Sequence, residues 1–294
     1  MINKSSNSKV LFTSELSSKS VLDLYRAYGR ILKGNVAIKV HSGEKGNFNF
    51  LRPEFYSDIV NFLNGTIVET NTAYNGNRNN TEDHEKLLAM HHWNRYPVDI
   101  LDSISPDITL EIPHGKRITK NYIGSNTTKY DSLLVISHFK GHPMAGFGGA
   151  LKQLSIGMAS SYGKKYIHGA GDPSRFWNTE SEIFLEAMAD AASSIVTYFK
   201  DRILFINVMK NISVDCDCVA YPKKPCMKDI GMLISNDPLA IDQACIDLVL
   251  ASTDPGKKDL LERIDSKSGL HILDAAEDLH IGSREYDFID LDKI

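Results

Sequence analysis

The sequence predicts an α/β fold in which a mainly parallel sheet carries helices on both faces. Short apolar runs rich in β-branched residues alternate along the chain with helical patterns of about 10–20 residues, as parallel α/β folds require. The 294 residues are 42% hydrophobic and 24% charged, which is enough apolar material for a sizeable core. Polar residues also follow one predicted strand after another. We expect one domain over residues 1–294, with two lobes (about 1–130 and 131–294) sharing a crevice as the alternative arrangement.

The elements of the first third follow from spacing and turn chemistry. Apolar residues at helical spacing predict a helix over Lys19–Lys33, and the run Asn35–Val40 predicts a strand. Proline suits the first turn of a helix, so Pro53–Leu63 is predicted to be helical. Thr66–Glu69 is predicted as the next strand. Thr81 is a suitable cap for a helix that reaches His92.

The rest of the chain continues the alternation of strands and helices. Further strands are predicted at Ile108–Ile112, Asn121–Ile123, Asp131–Ser137, Ile203–Val208, Ile230–Ile234 and Tyr286–Leu291. Further helices are predicted at Gly148–Ile156, Glu180–Phe199, Leu239–Leu250 and His271–His280. The segment Ser160–Asn178, rich in Gly, Ser and Lys, is predicted to be a loop.

Five polar segments follow predicted strands and carry chelating or anion-binding groups. They are HSGEKGN from His41, TNTAYNGNR from Thr70, SHFKGH from Ser137, NISVDCDC from Asn211 and SNDP from Ser235. Because the carboxyl ends of parallel strands share one edge of a sheet, we expect these loops to face a common crevice. The crevice would bind a small-molecule or anionic ligand.

Two histidines and a lysine lie together in the central loop. His138 and His142 flank Lys140, so both imidazoles can approach one ligand, and we predict catalytic roles for all three. A surface histidine that is merely solvated is the alternative for each.

A glycine-rich bend follows this loop. Gly148 and Gly149 would leave N–H groups free at a helix start, and Lys152 would lie one turn further on, which suits a phosphate or carboxylate. Glycines needed only for close packing of the helix on the sheet are the alternative. The spacing does not match a Walker A loop.

The clustered cysteines indicate a metal or a reactive thiol. Cys216 and Cys218 are soft ligands that could hold zinc, iron or nickel with His138 as a further ligand. Ordinary reduced cysteines are the alternative. His41, Glu44 and Arg78 are predicted to line the same crevice, although each alone would pass as a solvated turn residue.

Charge and hydropathy exclude several classes of partner. The net charge of −4 contains no basic excess for nucleic acid, and the apolar runs are far below the roughly 18 residues that a membrane helix needs. The first 18 residues carry no apolar core for a signal peptide, so we expect a cytoplasmic protein. Four cysteines do not make a disulfide framework, and a redox partner is compatible with the thiols.

Six stretches together resemble the "domain of unknown function 362" family, many members of which carry ferredoxin-type iron–sulfur motifs. They are KVHSGEKGN with RPEF, TNTAYNGNR, SHFKGHPMAGFGGALKQLSIGMAS with GKKYIH, ISVDCDC, ISNDPLAIDQACIDLV and GSREY. The family's cluster-bearing members have a CxxCxxCxxxCP-type insert just after the position of Lys164–His168. This chain has no CxxC, so no ferredoxin-type 4Fe–4S cluster is expected.

A more distant resemblance is to the lactate racemase group, which binds a nickel-containing organic cofactor. HPMAGFGGALK and the loop of Arg78 are similar to its pattern.

Three functions remain open from the sequence. The first is a metal- or cofactor-binding protein that acts as a redox-linked or small-molecule enzyme. The second is an isomerase or racemase of a carboxylate-bearing substrate, in which two imidazoles exchange a proton while Arg78 or Lys152 holds the carboxylate. The third is a non-catalytic carrier or assembly factor.

Overall fold

A computed structural model describes residues 7–294. Its strands are β1 Ser8–Thr13, β2 Val36–Lys39, β3 Thr66–Glu69, β4 Val98–Ile100, β5 Ile108–Glu111, β6 Lys120–Ile123, β7 Ser132–His138, β8 Lys140–His142, β9 Gly146–Gly148, β10 Ile203–Met209, β11 Gly231–Ser235 and β12 Tyr286–Asp290. Its α-helices are α1 Ser18–Tyr28, α2 Ser57–Leu63, α3 Thr81–Met90, α4 Ala150–Ser155, α5 Ser161–His168, α6 Ser181–Phe199, α7 Pro238–Ala251, α8 Lys257–Asp265 and α9 His271–Asp278.

The main sheet has the order β12-β1-β11-β10-β7-β2-β3-β4 within the described chain. The neighbours from β10 through β7, β2 and β3 to β4 are parallel, and so are β1 and β12. Only β11 runs against both of its neighbours, β1 and β10. The predicted mainly parallel α/β sheet is confirmed.

Helices cover both faces of this sheet, as predicted. The central strand β7 sends Leu133 and Val135 into one core, which contains apolar residues of α4, α6, α7 and α9. It sends Leu134 and Ile136 into the other, which contains residues of α1 and α2. Successive side chains of a strand point to opposite faces, so a strand covered on both sides is apolar throughout.

The direction of β11 changes one expectation from the sequence. Ser235 pairs with Phe205 near the start of β10, and Gly231 pairs with Met209 at its end. The SNDP segment after β11 therefore lies at the amino end of β10, away from the other four loops. The sequence of a buried strand does not reveal its direction relative to its neighbours. The prediction that all five loops share one edge is therefore wrong for the SNDP segment.

Several elements were not predicted. β1 and α8 had no assigned pattern, and α5 occupies part of the segment that was predicted as a loop. In α5, the Ser160 side chain caps the helix by accepting from the Gly163 N–H at 3.0 Å, and Lys164 and His168 are buried. Its glycine and its short length hid the helical period, which needs about 11 residues or more to be recognised.

The glycine-rich bend forms a small hairpin before α4. β8 and β9 pair as antiparallel strands, with His142 opposite Gly146. Gly146 has a φ of +78°, and a Cβ there would lie 2.7 Å from the Gly269 Cα, so only glycine fits this turn. Among residues 7–294, no helix is both long and apolar enough to cross a membrane.

Candidate functional site

Four polar loops meet at the carboxyl edge of the parallel strands. They follow β2, β3, β7 and β10. These four strands lie side by side in the sheet, in the order β10-β7-β2-β3. Val208 of β10 pairs with His138 of β7, so the loop carrying Cys216 leaves the sheet beside the loop carrying His142. The parallel register thus brings groups that are more than 70 residues apart in sequence to one place.

A thiol–imidazole cluster forms where the loops after β7 and β10 meet. One ligand atom each from His142, Cys216 and Cys218 lies within 4.8 Å of the other two. Cys216 is fully buried, whereas Cys218 is only partly buried. Two sulfurs and one imidazole nitrogen are donors that select a soft or borderline metal such as zinc.

The pKa values of the two cysteines shift in opposite directions. A hydrogen bond from Cys218 lowers the pKa of Cys216 well below its usual range, against the effect of burial, and Lys152 and Lys140 lower it further. The same hydrogen bond and burial raise the pKa of Cys218. Cys216 is therefore the thiolate of the pair, because the surrounding cations stabilise its charge.

The histidines beside Cys216 are oriented by the backbone. The Nδ1 atom of His142 accepts from the N–H groups of Met144 at 3.2 Å and Ala145 at 2.9 Å. Likewise, His41 Nδ1 accepts from the Gly43 N–H at 3.1 Å. Burial is the main cause that lowers the pKa of both rings, to about 4 for His41. A neutral ring whose Nδ1 accepts carries its proton on Nε2, so Nε2 is the atom available to the thiolate.

His138 lies outside this cluster. Its Nδ1 is 3.0 Å from each carboxylate oxygen of Asp217, and its Nε2 is 2.5 Å from the carbonyl oxygen of Lys210. The Asp217 carboxylate also accepts from Lys140 Nζ at 2.8 Å. Both ring nitrogens of His138 are thus occupied. The imidazole that lies beside the two thiols is that of His142, whereas the sequence predicted His138 as the metal ligand.

Asp217 connects the two loops. Burial would raise the pKa of this carboxyl, but His138 and Lys140 outweigh burial and hold it well below its usual range. Asp217 also accepts from the Glu44 N–H through its backbone carbonyl at 2.9 Å. His138 and Lys140 therefore position the loop that carries Cys216 and Cys218, and neither lines the ligand pocket described next.

A pocket of about 310 Å³ opens beside the cluster, which contributes His142 and Cys218 to its wall. The cationic groups on its wall are Lys39, Arg78, Lys152 and Lys164. Glu69 is the one carboxylate that lines it among the described residues. Trp177, 63% exposed, forms part of the rim.

Two of these cations are already neutralised. Glu69 lies 2.5 Å from Lys39 Nζ and 3.9 Å from Arg78 Nη1, and it also accepts from the Ser42 N–H at 2.7 Å. Arg78 Nε donates to Glu44 at 3.2 Å. Despite burial, the neighbouring cations hold the pKa of Glu69 well below its usual range. Two cations are thus balanced by two carboxylates.

The other two cations have no carboxylate partner among residues 7–294. Lys152 is 9% exposed and makes no hydrogen bond or ion pair with any residue from 7 to 294. Lys164 has only uncharged acceptors within that range. Lys152 therefore has no carboxylate to balance it inside the pocket, and an anionic ligand would supply one.

The helix start at the glycine bend is occupied from inside the protein. Asp242 of α7 accepts from the Ala150 N–H at 2.7 Å and from the Leu151 N–H at 2.9 Å. A Cβ on Gly149 would lie 2.3 Å from an Asp242 oxygen, so this glycine makes room for the carboxylate. Gly148 packs near the aliphatic parts of Lys140 and Lys152. The N–H groups that the sequence assigned to a ligand are used by Asp242.

The placement of the predicted residues can now be compared with the sequence. Five of the predicted residues line the pocket together: His41, His142, Lys152, Arg78 and Cys218. Glu44 does not line it but forms an ion pair with Arg78. His138 and Lys140 do not line it.

The sequence interpretation missed further pocket residues, which are Lys39, Glu69, Lys164 and His168. Lys39 and Glu69 had a signal, because each is a charge at the end of an otherwise apolar strand. Lys164 and His168 had none once α5 was taken for a loop.

Comparison with known families identifies the chain. The family described as "Domain of unknown function (DUF362)" matches residues 36–247. This range includes the four loops that meet at the pocket. The chain belongs to this family. No curated protein matches the DUF362 chain.

Two solved structures are similar to parts of this chain. The lactate racemase apoprotein from Thermoanaerobacterium thermosaccharolyticum is 17% identical, with a TM-score of 0.42 over 67% of this DUF362 chain and 50% of that one. A protein from Thermotoga maritima is 12% identical, with a TM-score of 0.40 over 89% of this chain and 57% of its own. The DUF362 chain thus spans only about half the length of these proteins.

Proposed function

We propose that this protein is a small-molecule enzyme that binds an anionic ligand in the pocket and a soft metal ion at the thiol–imidazole cluster. The observation that carries the proposal is the meeting of Cys216, Cys218 and His142 donor atoms within 4.8 Å at the wall of a pocket in which Lys152 has no carboxylate partner. Of the residues that would hold the metal, Cys218 and His142 also line the pocket.

The donor set supports a metal, and other residues of the site have separate roles. Cys216 is fully buried behind Cys218, so it suits a ligand better than a nucleophile that must reach a substrate. A bound metal would supply Lewis acidity or redox chemistry. Lys152 would bind and orient the anionic group of the ligand.

One observation favours a second candidate, in which the cysteines act as a redox or nucleophilic pair without metal. A metal-ligating histidine normally donates its second N–H, whereas His142 Nδ1 accepts from two backbone N–H groups. This arrangement leaves the Nε2 proton to stabilise the Cys216 thiolate. Cys218, which lines the pocket, would then meet the substrate, and its proton would pass to Cys216 as it reacts.

Metal analysis of reduced protein purified without a histidine tag distinguishes the two candidates. The proposal expects near-stoichiometric zinc, iron or nickel in the parent and in Cys226→Ser, whose thiol lies outside the cluster. It expects loss of that metal in Cys218→Ser. Absence of metal from the parent, with iodoacetamide reacting faster at Cys216 or Cys218 than at Cys226, would instead select the thiol enzyme.

A further inference from the structure

Lys164 is a buried amine on the pocket wall that the proposed function does not use. It lies on α5 and is 7% exposed. Its Nζ is 2.5 Å from the Thr70 hydroxyl and 2.6 Å from the Ala159 carbonyl oxygen. Neither acceptor is charged, which is unusual for a lysine this deeply buried.

The hydrogen-bond directions at Lys164 can be assigned. The Thr70 hydroxyl donates its own hydrogen to the Gly157 carbonyl at 2.9 Å, so it must accept from Lys164. The Ala159 carbonyl can only accept. A neutral amine has two hydrogens, one for each acceptor, and keeps a lone pair. The ammonium form has three, and the third has no partner among residues 7–294.

The surrounding charges favour the neutral form in the same way. Burial is the main cause that lowers the pKa of Lys164 to about 7, and nearby cations contribute to the lowering. Nearby carboxylates act to raise the pKa, but their effect is smaller. The charged groups that act on it are Asp102, Lys39, Glu69 and Arg78. His168, one turn further along α5, is neutral because burial holds its pKa well below the usual range, and its Nδ1 has no partner in the described chain.

We propose that Lys164 captures an aldehyde or ketone group of the anionic ligand as a Schiff base. The Nζ lone pair attacks the carbonyl carbon and forms a C–N bond, while the carbonyl electron pair moves to oxygen. The two amine hydrogens leave with that oxygen as water, and a C=N bond remains. The step needs no oxidant, reductant or metal.

The proposal rests on the proposed anionic pocket and narrows its ligand to a small carbonyl-bearing acid, such as a 2-oxo acid. Lys152 on the same wall has no partner and is free to hold the carboxylate, while Lys164 holds the carbonyl carbon. A pocket of about 310 Å³ takes a ligand of this size. Buried lysines whose amine is partly neutral are the ones that form Schiff bases.

Reductive trapping tests the assignment. The full chain is incubated with pyruvate and sodium cyanoborohydride, and the modified lysine is located by peptide mass spectrometry. At pH 7 about half of the Lys164 amine is neutral, against roughly one in a few thousand for an exposed lysine, so Lys164 should be modified at least ~100-fold faster than Lys165 beside it. Trapping should also rise with pH and level off above about 8, as the amine loses its proton.

Matched variants separate this claim from the anionic pocket. Lys164→Met should abolish trapping, while Lys165→Met, at an exposed position, should trap like the parent. Binding of lactate, which has no carbonyl carbon open to attack, is followed in each variant through the fluorescence of Trp177 at the rim. Adducts at Lys152 or at exposed lysines, with lactate still bound, would overturn the Schiff base alone. Failure of the parent to bind either acid would overturn the anionic pocket itself.

Discussion

Two buried polar regions flank α4, and they differ in how completely their groups are paired. At its amino end, Asp242 accepts from two backbone N–H groups and from Asn207 Nδ2 at 2.7 Å. On its pocket side, Lys152 has no partner among residues 7–294, and the Nε2 of Gln153 has none either. Evolution rarely leaves buried polar groups unpaired without a reason. Asp242 is satisfied by groups of the protein and is structural, although the Oδ1 of Asn207 beside it lacks a partner among residues 7–294. Lys152 and Gln153 line the pocket, where a ligand can supply the partner.

A perturbed pKa alone would not have distinguished these regions. Burial raises the pKa of Asp242 to about 6 in spite of its three donors, and burial lowers that of Lys164 to about 7. Both shifts are of the size found at active sites. Their partners assign them different roles, because Asp242 accepts from three donors of the protein, whereas the ammonium form of Lys164 lacks a third acceptor among residues 7–294.

Replacing Asp242 should produce the largest change in stability. Asp242→Ala would leave two N–H groups of α4 unpaired in the core and would leave the Asn207 amide with only a weak bond to Cys245 Sγ, so we expect the free energy of unfolding to fall by about 3 kcal/mol or more. Asp242→Asn retains one acceptor and should lose less. Urea unfolding measures both. A loss below about 1 kcal/mol in Asp242→Ala would mean that this corner is not the structural one.

Replacing Lys152 should produce the opposite pattern. Lys152→Met keeps the aliphatic stem but removes the cation, so ligand affinity should fall by roughly 10- to 100-fold, equivalent to about 1.5–3 kcal/mol for a charged hydrogen bond. Stability should change little, since Lys152 makes no hydrogen bond or ion pair with residues 7–294. Lactate titration and urea unfolding give the two values. Equal losses of stability in Lys152→Met and Asp242→Ala would contradict the assignment of Lys152 to ligand binding and of Asp242 to stability.

Much of the fold and part of the site followed from the sequence. The apolar strands β7 and β10 were evident because strands covered on both faces are apolar at every position. The loops of His41, Arg78 and His142 were placed correctly at one edge by their position after parallel strands.

Other features depend on contacts between distant residues. No local pattern shows that β11 is antiparallel, because its direction follows from pairing with β1 and β10. The choice of His142 over His138 beside the thiols depends on Asp217, which occupies His138. Asp242 at the start of α4 comes from 92 residues away, so the glycine bend could not reveal that its N–H groups were used.

Cobalt(II) titration of the reduced, metal-free protein tests most directly whether the thiol–imidazole cluster is a metal centre. Thiolate coordination gives a charge-transfer band in the near ultraviolet, and tetrahedral geometry gives strong visible bands. We predict saturation at one equivalent in the parent and in Cys226→Ser, and loss of both bands in Cys218→Ser. A parent without the thiolate band, or a Cys218→Ser variant with unchanged bands, would contradict the metal centre.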